Sequence, residues 1–204
     1  MTLDYDGYAT GVKGLGPGTR VALWVRGCQI GCVGCMTKYL WPHGEARPIE
    51  PLVEQLGSLL QKCDGLTISG GEPFDQCDEL CFLIDRLRAD NDVHVFCYSG
   101  YRLPRLQERE ESRRLLERLD MLMDGPYVDT RPTEKPWRGS DNQQLHLLSE
   151  RAKAEKIEEA DWRQLQLQPM NGGAVRLIGI PKRGDIGRLR TALAEKGLQL
   201  GSDR

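Results

Sequence analysis

A regular alternation of strand-like and helix-like segments constrains the fold of this chain more than any other feature. Four short apolar or β-branched runs predict strands, at 20–25, 65–71, 93–100 and 120–125. The segments between them have helical spacing or a helix-like charge pattern, at 51–62, 78–89 and 105–119. Because strands that are joined through helices usually lie parallel in one sheet, this order predicts an α/β fold.

An unusual motif lies at the end of each predicted strand. Three cysteines follow the first strand, SGGEP ends the second, YSGY the third and DGPY the fourth. The carboxyl ends of parallel strands meet at one edge of a sheet, where the active sites of α/β proteins gather. The four motifs therefore predict a single functional site.

The composition is that of a soluble globular protein. The chain has 39% apolar residues, 28% charged residues and a net charge of -2, which favours neither nucleic acid nor an acidic membrane surface as a partner. The first residues lack the pattern of a signal peptide, and no apolar stretch is long enough to span a membrane. We therefore expect a cytoplasmic protein, in which clustered cysteines are more often metal ligands or catalysts than disulfides.

The cysteine cluster has the pattern Cys28-x3-Cys32-x2-Cys35 in a glycine-rich loop. Three thiolates can bind three irons of a cubane cluster and leave the fourth iron open to another ligand. A zinc site that His43 completes is the alternative, although zinc sites usually pair two C-x2-C units and no second unit follows. The spacing favours the iron–sulfur cluster.

The SGGEP motif predicts a second part of the site. Gly70 and Gly71 leave backbone groups accessible at the sheet edge, where they can bind the amine and carboxylate of a small ligand. Glu72 can accept a hydrogen bond from an ammonium group. A tight turn after the strand is the alternative reading of the two glycines.

Together these motifs resemble the radical S-adenosylmethionine (SAM) superfamily. More narrowly, the chain is similar to the activating proteins of anaerobic ribonucleoside-triphosphate reductase, which activate a glycyl radical enzyme. The similar segments are 16–41, 66–74, 98–101, 119–129 and 137–148. The resemblance implies an open parallel βα barrel as a radical SAM core over residues 1–149, with residues 150–204 as a C-terminal α/β extension.

The resemblance also implies cofactors and partners. Cys28, Cys32 and Cys35 would bind one [4Fe-4S] cluster, and SAM would chelate the open iron. Reductive cleavage of SAM would give a 5'-deoxyadenosyl radical, which takes a hydrogen atom from a glycine of the reductase. A flavodoxin or ferredoxin-type protein would supply the electron. A stand-alone radical SAM enzyme that acts on a peptide or small molecule is the alternative, and a metal-binding module without catalysis is a third.

Further residues take roles from the same resemblance. Gly70, Gly71 and Glu72 would hold the methionine end of SAM, and Gly34 and Met36 would approach its adenine.

Two later strand ends and one loop have open roles. Ser99 and Asp124 are candidates for contacts with the ribose or the partner, although Asp124 can equally cap the DGPY turn. The segment WRGSDNQ (137–143) either closes over the site or holds the loop that bears Asp124. The alternative is a structural corner in which Ser140 and Asn142 satisfy backbone groups.

The other cysteines and the C-terminal extension complete the predictions. We expect Cys63, Cys77, Cys81 and Cys97 to be structural, because buried free cysteine behaves as a small apolar residue. In the extension we expect a polar helix over 150–168, a strand over 172–181 and a helix with Asp185 as its N-cap. Its basic residues either form a solvated face or contact a partner or substrate: Arg176, Lys182, Arg183, Arg188 and Arg190.

Overall fold

A computed structural model describes residues 1–154, 164–169, 175–182, 184–195 and 197 of this chain. Within them, the strands are β1 (Thr2–Leu3), β2 (Tyr5–Val12), β3 (Arg20–Val25), β4 (Arg47–Pro48), β5 (Gly65–Gly70), β6 (Val95–Tyr98), β7 (Met121–Asp124), β8 (Gln144–Leu147), β9 (Gln166–Pro169) and β10 (Val175–Ile178). The α-helices are α1 (Ile49–Leu60), α2 (Cys77–Asp90), α3 (Leu103–Glu108), α4 (Glu110–Leu116), α5 (Glu150–Ala154) and α6 (Asp185–Ala194).

The main sheet has six strands in the order β2-β3-β5-β6-β7-β8. Its four central strands are parallel and coincide with the four predicted strands, which confirms the α/β class. The sheet as a whole is mixed, since the two edge strands β2 and β8, which the sequence did not predict, pair antiparallel with their neighbours. The sequence of β2, YDGYATGV, mixes polar residues and glycine, so no apolar run marks this strand.

The two faces of the sheet have different cores. On the first face, apolar residues of α1, α2 and α4 pack on alternate strand residues such as Leu23, Ile68 and Leu122. We call the other side the second face; it carries Ala22, Trp24, Phe96, Met121 and Met123. The buried residues that cover the second face come from distant parts of the chain: Leu40, Trp137, Ala152 and Ile178.

The charged helix predicted over 105–119 consists of two short helices. Helix α3 ends at Glu108 and α4 begins at Glu110. Arg109 between them has extended backbone angles, with φ of -100° and ψ of 132°. This break turns the chain so that Leu106 and Leu115 both reach the first core.

The C-terminal extension departs most from its predicted structure. The helix predicted over 150–168 begins as α5, but it is wrong over Gln166–Pro169, which forms β9. Residues 155–163 lie outside the described part of the chain. The predicted strand over 172–181 is present as β10, which pairs antiparallel with β9 rather than with the main sheet. Residues 172–174 and Arg183 also lie outside the described part.

Helix α6 begins one residue from the predicted position. Gly184, with φ of 89°, is its N-cap, and Asp185 is its first residue. The Asp185 carboxylate accepts a hydrogen bond from the backbone N–H of Lys182, and therefore stabilises the turn before the helix. None of the described helices is long and apolar enough to cross a membrane.

Candidate functional site

The three clustered cysteines lie on a closed loop that leaves β3. Two backbone hydrogen bonds close its base: the N–H of Gly27 donates to the carbonyl of Leu40 at 2.9 Å, and the N–H of Cys28 donates to that of Trp41 at 3.0 Å. We call residues 27–41 the cysteine loop. These two hydrogen bonds fix the ends of the loop, and the residues between the ends can surround a ligand.

Glycines give the cysteine loop its curvature. Gly27, Gly31 and Gly34 have φ values of 82°, 67° and 82°, in the left-handed region that other residues avoid. Each precedes a cysteine by one residue, so each turn redirects the chain just before a thiol. The glycines and the cysteines therefore have the same spacing, because each glycine turn sets the direction of the thiol that follows it.

The cysteine sulfurs lie in half-buried surroundings with backbone donors. Burial raises the pKa of the Cys28 thiol, whereas the N–H groups of Ile30 and Gly31 lower it. Burial likewise raises the pKa of the Cys32 thiol, and the N–H of Tyr127 lowers it. Backbone N–H groups that face a sulfur stabilise a thiolate, as they do around iron–sulfur clusters.

These donors make the loop a fit for thiolate ligation of a cluster. Cys35 lies beside Thr37, with 3.5 Å between Sγ and Oγ1, and Thr37 in turn reaches the carbonyl of Gly70 at 3.3 Å. All seven cysteines are free thiols, so no disulfide competes for the three sulfurs. A cluster at this loop would be held by Cys28, Cys32 and Cys35.

His43, the candidate zinc ligand, has the Asp4 carboxylate as its side-chain partner. Its Nδ1 lies 3.2 Å from the Asp4 carboxylate, and its ring lies against Gly27, where a Cβ would come within 2.3 Å of it. Across the described residues, no group of three or more His, Cys, Asp and Glu side chains is arranged to hold a single metal ion. This finding covers the three cysteines as well, so it does not separate the zinc alternative from the iron–sulfur cluster.

The two glycines of SGGEP contact the start of the cysteine loop. The N–H of Gly71 donates to the carbonyl of Val25 at 2.8 Å, and the N–H of Glu72 donates to that of Gly27 at 2.7 Å. A Cβ at Gly70 would lie 2.4 Å from the Val25 carbonyl oxygen, and one at Gly71 would lie 2.2 Å from that of Gly27. Only glycine permits this approach, which joins the second motif to the first.

Glu72 is a buried carboxylate that links two strand ends. One oxygen accepts from the Ser99 hydroxyl at 2.9 Å and from the Phe74 N–H at 3.0 Å, and the other accepts from the Gly100 N–H at 2.8 Å. Burial raises its pKa to about 7, although these three donors act in the opposite direction. Its charge also raises the pKa of Cys28, so it lies within electrostatic range of the cysteines.

The remaining predicted site residues lie around the same end of the sheet. Ser99 is buried, and its hydroxyl also accepts from the Tyr101 N–H at 3.0 Å. Asp124 is buried and accepts from the Leu103 N–H at 2.6 Å, at the start of α3. Its other oxygen, Oδ1, has no hydrogen-bond partner. These contacts explain both residues structurally, and their contacts with a ribose or partner stay predictions.

Gly34 and Met36 are the residues before and after Cys35, the last cysteine of the loop. A Cβ at Gly34 would lie 3.2 Å from the Tyr127 ring and 3.1 Å from Asp129 Cβ, so the loop approaches the segment after β7 closely here. Met36 is 46% exposed. A flexible, exposed thioether suits a ligand contact, and that role also stays a prediction.

The WRGSDNQ segment is a structural corner, and by the same hydrogen bonds it holds the loop that follows Asp124. The Ser140 hydroxyl accepts from the Val128 N–H at 3.0 Å, and the Asn142 amide donates to the carbonyl of Pro126 at 2.7 Å. Gln143, which the sequence reasoning missed, donates to the carbonyl of Gly125 at 3.0 Å and accepts from the Gly139 N–H at 2.7 Å. These bonds hold residues 125–128, whose Tyr127 N–H faces Cys32.

Trp137 is the aromatic residue of this corner. It has a left-handed φ of 56°, the sole such non-glycine residue in the described part of the chain. Its ring is buried edge-on against Phe96, with 5.9 Å between the ring centroids. A tryptophan in this conformation is strained by about 1–3 kcal/mol, which the burial of its ring offsets.

The other cysteines have the structural role expected of them. Cys77, Cys81 and Cys97 are buried in the first core, and burial raises the pKa of the Cys77 thiol to about 12. The Cys77 thiol donates to the carbonyl of Phe74 at 3.1 Å. Cys63 is half-buried, and its sulfur lies 3.4 Å from the Thr10 hydroxyl. Burial, which raises the thiol pKa of Cys77, Cys81 and Cys97, makes these three poor nucleophiles and poor ligands.

Comparison with known proteins places this arrangement in a family context. A family described as "4Fe-4S single cluster domain" matches residues 14–146. The anaerobic ribonucleoside-triphosphate reductase-activating protein of Enterobacteria phage T4 is 34% identical over 137 residues, which are 64% of this chain and 85% of that protein. The protein of the same name from Escherichia coli K12 is 30% identical over 142 residues, or 65% and 91% of the two chains.

A third protein of that name, from Vibrio cholerae, is 31% identical over 143 residues, which are 66% of this chain and 91% of that protein. Among solved structures, the crystal structure of QueE from Escherichia coli superposes with a TM-score of 0.42 and 22% identity. That match covers 49% of this chain and 53% of QueE, and such a distant likeness bears on neither fold nor function.

Proposed function

Since this chain belongs to the family of anaerobic ribonucleoside-triphosphate reductase-activating proteins and has the 4Fe-4S single cluster domain, we propose that it generates a glycyl radical on such a reductase. The cysteine loop carries this proposal: three thiols on one closed loop, two of them facing backbone N–H donors.

In this proposal Cys28, Cys32 and Cys35 hold a [4Fe-4S] cluster, and SAM binds beside it. When bound, the reduced cluster and SAM supply a 5'-deoxyadenosyl radical, which removes a hydrogen atom from a glycine of the reductase. The chain's own part is to fix the loop, supply thiolates and keep water away. The Ile30, Gly31 and Tyr127 N–H groups stabilise the thiolates, which is the protein's main electronic control over such a site.

Gly70, Gly71 and Glu72 form the floor of the proposed SAM site. The two glycines bring backbone amide groups against the start of the cysteine loop, and Glu72 fixes the end of β6 through Ser99 and Gly100. With its oxygens occupied by three protein donors, Glu72 acts by holding these strand ends. We place the methionine end of SAM at the backbone of this segment and its adenine near Gly34 and Met36.

The finer architecture of the site is part of the same proposal. We propose that the four central parallel strands and their helices form an open βα barrel, with the second face inside. A flavodoxin or ferredoxin-type protein is the proposed electron donor. The donor would approach at the exposed tip of the cysteine loop, where Val33 is 84% exposed.

Anaerobic reconstitution tests the proposal. The chain is incubated with iron and sulfide, reduced, and mixed with SAM, and 5'-deoxyadenosine is quantified. We expect product with the wild type and with Cys63→Ala, a matched control outside the loop, and none with Cys28→Ala, Cys32→Ala or Cys35→Ala. Product formation that survives loss of these three thiols would rule out the proposed cluster site.

A stand-alone radical SAM enzyme is a second candidate, and one observation favours it. The family match ends at residue 146, and the extension beyond it covers part of the second face with Ile178. If that face is the substrate side, the extension supplies part of a pocket. The two candidates separate when reconstituted protein is mixed with an anaerobic ribonucleotide reductase. A glycyl radical signal in electron paramagnetic resonance supports the first candidate, and its absence despite SAM cleavage supports the second.

A further inference from the structure

One strand of the C-terminal extension is connected to the base of the cysteine loop. Arg176, on β10, donates from Nη2 to Asp6 Oδ2 at 2.6 Å. The other oxygen of Asp6 accepts from Arg26 Nη1 at 3.1 Å. Arg26 Nη2 then donates to the carbonyl of Tyr39 at 3.3 Å. The chain of contacts thus runs from the extension, across β2, to both flanks of the cysteine loop.

These charged groups are sheltered from solvent. The side chains of Arg176, Asp6 and Arg26 are 10%, 19% and 25% exposed. The Arg176 guanidinium lies over the Trp24 ring at 4.7 Å from its centroid, which fixes its plane. Partly buried ion pairs with fixed geometry are screened less than surface pairs and contribute more. The ion pair between Arg176 and Asp6 therefore connects the extension to β2 more strongly than a solvent-exposed pair would.

Strand β10 also has an apolar residue that packs on the second face, beside these polar contacts. Ile178, two residues after Arg176 on the same side of β10, is 3% exposed and belongs to a buried cluster with Trp24 and Leu40. Leu40 is fully buried, and its carbonyl accepts the hydrogen bond from the Gly27 N–H. Arg176 and Ile178 therefore both lie against the part of the second face that carries Trp24, on the strand that leads into the cysteine loop.

The extension has a separate anchor elsewhere. The Gln166 side-chain amide on β9 donates to the carbonyl of Gly11 at 2.9 Å and accepts from the Lys13 N–H at 2.9 Å. These contacts attach β9 to the far end of β2, away from the cysteines. Gln166 thus holds the same hairpin without touching the cysteine loop, which makes it a matched control.

We propose that Arg176 is a positioning residue of the cofactor site, which holds the base of the cysteine loop closed through Asp6 and Arg26. The proposal rests on the proposed function only for the assignment of the three cysteines as cluster ligands. It makes the extension, which lies beyond the family match, a working part of the site in this chain. Without Arg176, Arg26 is the only one of these two guanidinium partners that Asp6 keeps, so the Asp6 carboxylate is less fixed in orientation and constrains the position of Arg26 at the Tyr39 carbonyl less.

Amide hydrogen exchange on the metal-free full chain tests this, and needs neither cluster nor activity. The amides of Gly27 and Cys28 report on loop closure. We expect Arg176→Gln to accelerate their exchange about tenfold, because a charge-assisted bond in sheltered surroundings is lost. Arg176→Lys should have a smaller effect, since it keeps the charge and loses the planar fork. Arg190→Gln, which removes an exposed charge on α6, should have none.

Two further variants keep the test decisive. Asp6→Asn should reproduce the acceleration at Gly27 and Cys28, and combining it with Arg176→Gln should add little more, because both break one chain of contacts. Gln166→Ala should expose the Lys13 amide and leave Gly27 and Cys28 unchanged. Equal acceleration by Gln166→Ala, or slow exchange at Gly27 in both Arg176→Gln and Asp6→Asn, would overturn the proposal.

A second measurement connects the result to the cofactor. After reconstitution, cluster loss to an iron chelator should be about tenfold faster in Arg176→Gln than in Arg190→Gln, in parallel with the exchange rates. If the loop amides respond and no cluster ever forms, the proposed function fails while the positioning role stands. If a cluster forms and its loss is insensitive to Arg176, the positioning role for the cofactor site is refuted.

Discussion

A methyl group at position 71 would collide with the backbone that starts the cysteine loop. In Gly71→Ala the new Cβ would lie 2.2 Å from the Gly27 carbonyl oxygen and 2.9 Å from its carbon. Ordinary contact needs a separation about 1 Å larger, and the obstacle is main chain with no side-chain rotamer to change. The two segments must therefore separate, and the loop base must move with them.

The cost follows from the contacts that this separation breaks. The hydrogen bonds from Gly71 to Val25 and from Glu72 to Gly27 are lost or lengthened. At about 1 kcal/mol for each bond and about 1–3 kcal/mol for overpacking, the free energy of unfolding should fall by about 3–5 kcal/mol. That is a large part of the about 5–15 kcal/mol that stabilises a typical domain.

Urea-induced unfolding of the metal-free chain, followed by tryptophan fluorescence, measures this loss. Gly187→Ala is the matched control, because a Cβ at this helical position meets nothing within 4 Å. It should raise stability by about 0.5–1 kcal/mol, as alanine does in a helix. A Gly71→Ala protein within about 0.5 kcal/mol of wild type would refute the claim that SGGEP and the cysteine loop form one rigid unit.

Substitutions at three further positions give measurable outcomes. Burial raises the pKa of Glu72 from its ordinary 4.5 to about 7. The free energy of unfolding of the wild type should therefore fall by up to about 3 kcal/mol as pH rises from 4.5 through 7. The urea midpoint of Glu72→Gln should not show this fall. Burial raises the pKa of Asp120, but hydrogen bonds from Arg151, Ser149 and the Val95 N–H outweigh burial and hold this pKa at about 2. Stability should therefore be lost as pH falls from 3.8 through 2. Asp120→Asn should abolish that acid dependence and cost about 3 kcal/mol at neutral pH; an unchanged acid midpoint would contradict the assignment. Trp137→Ala should cost about 3–5 kcal/mol, and Trp137→Phe clearly less; equal losses would show that the ring contact with Phe96 contributes little.

Much of the central fold could be predicted from the sequence because its signals are local. The helices over 51–62 and 78–89 each bury one face, so their apolar spacing reveals them. The strand over 65–71 is buried on both faces and appears as a short apolar run that ends in glycines. The cysteine loop is equally local, since each glycine turn lies beside the thiol that it positions. For the same reason β2 was missed: its pairing with β3, rather than its own composition, makes it a strand.

Parts of the candidate site could not be predicted because their partners are distant in sequence. The Tyr127 N–H that faces Cys32 comes from almost a hundred residues further along the chain, and nothing in the letters DGPY marks it. Gln143 looks like any polar loop residue, although its amide closes the corner that holds Tyr127. Side-chain hydrogen bonds to backbone groups of this kind leave no periodic pattern to detect.

The sequence by itself determined that three thiols, two glycines and one carboxylate follow neighbouring parallel strands. Strand order and residue spacing are enough for that, because both follow from backbone geometry that acts over a few residues. Only the tertiary structure decided that Gly71 touches Gly27, that Glu72 holds Ser99, and that Arg176 reaches Asp6 across 170 positions. Those contacts depend on how the sheet, the loops and the extension pack together, which no local pattern encodes.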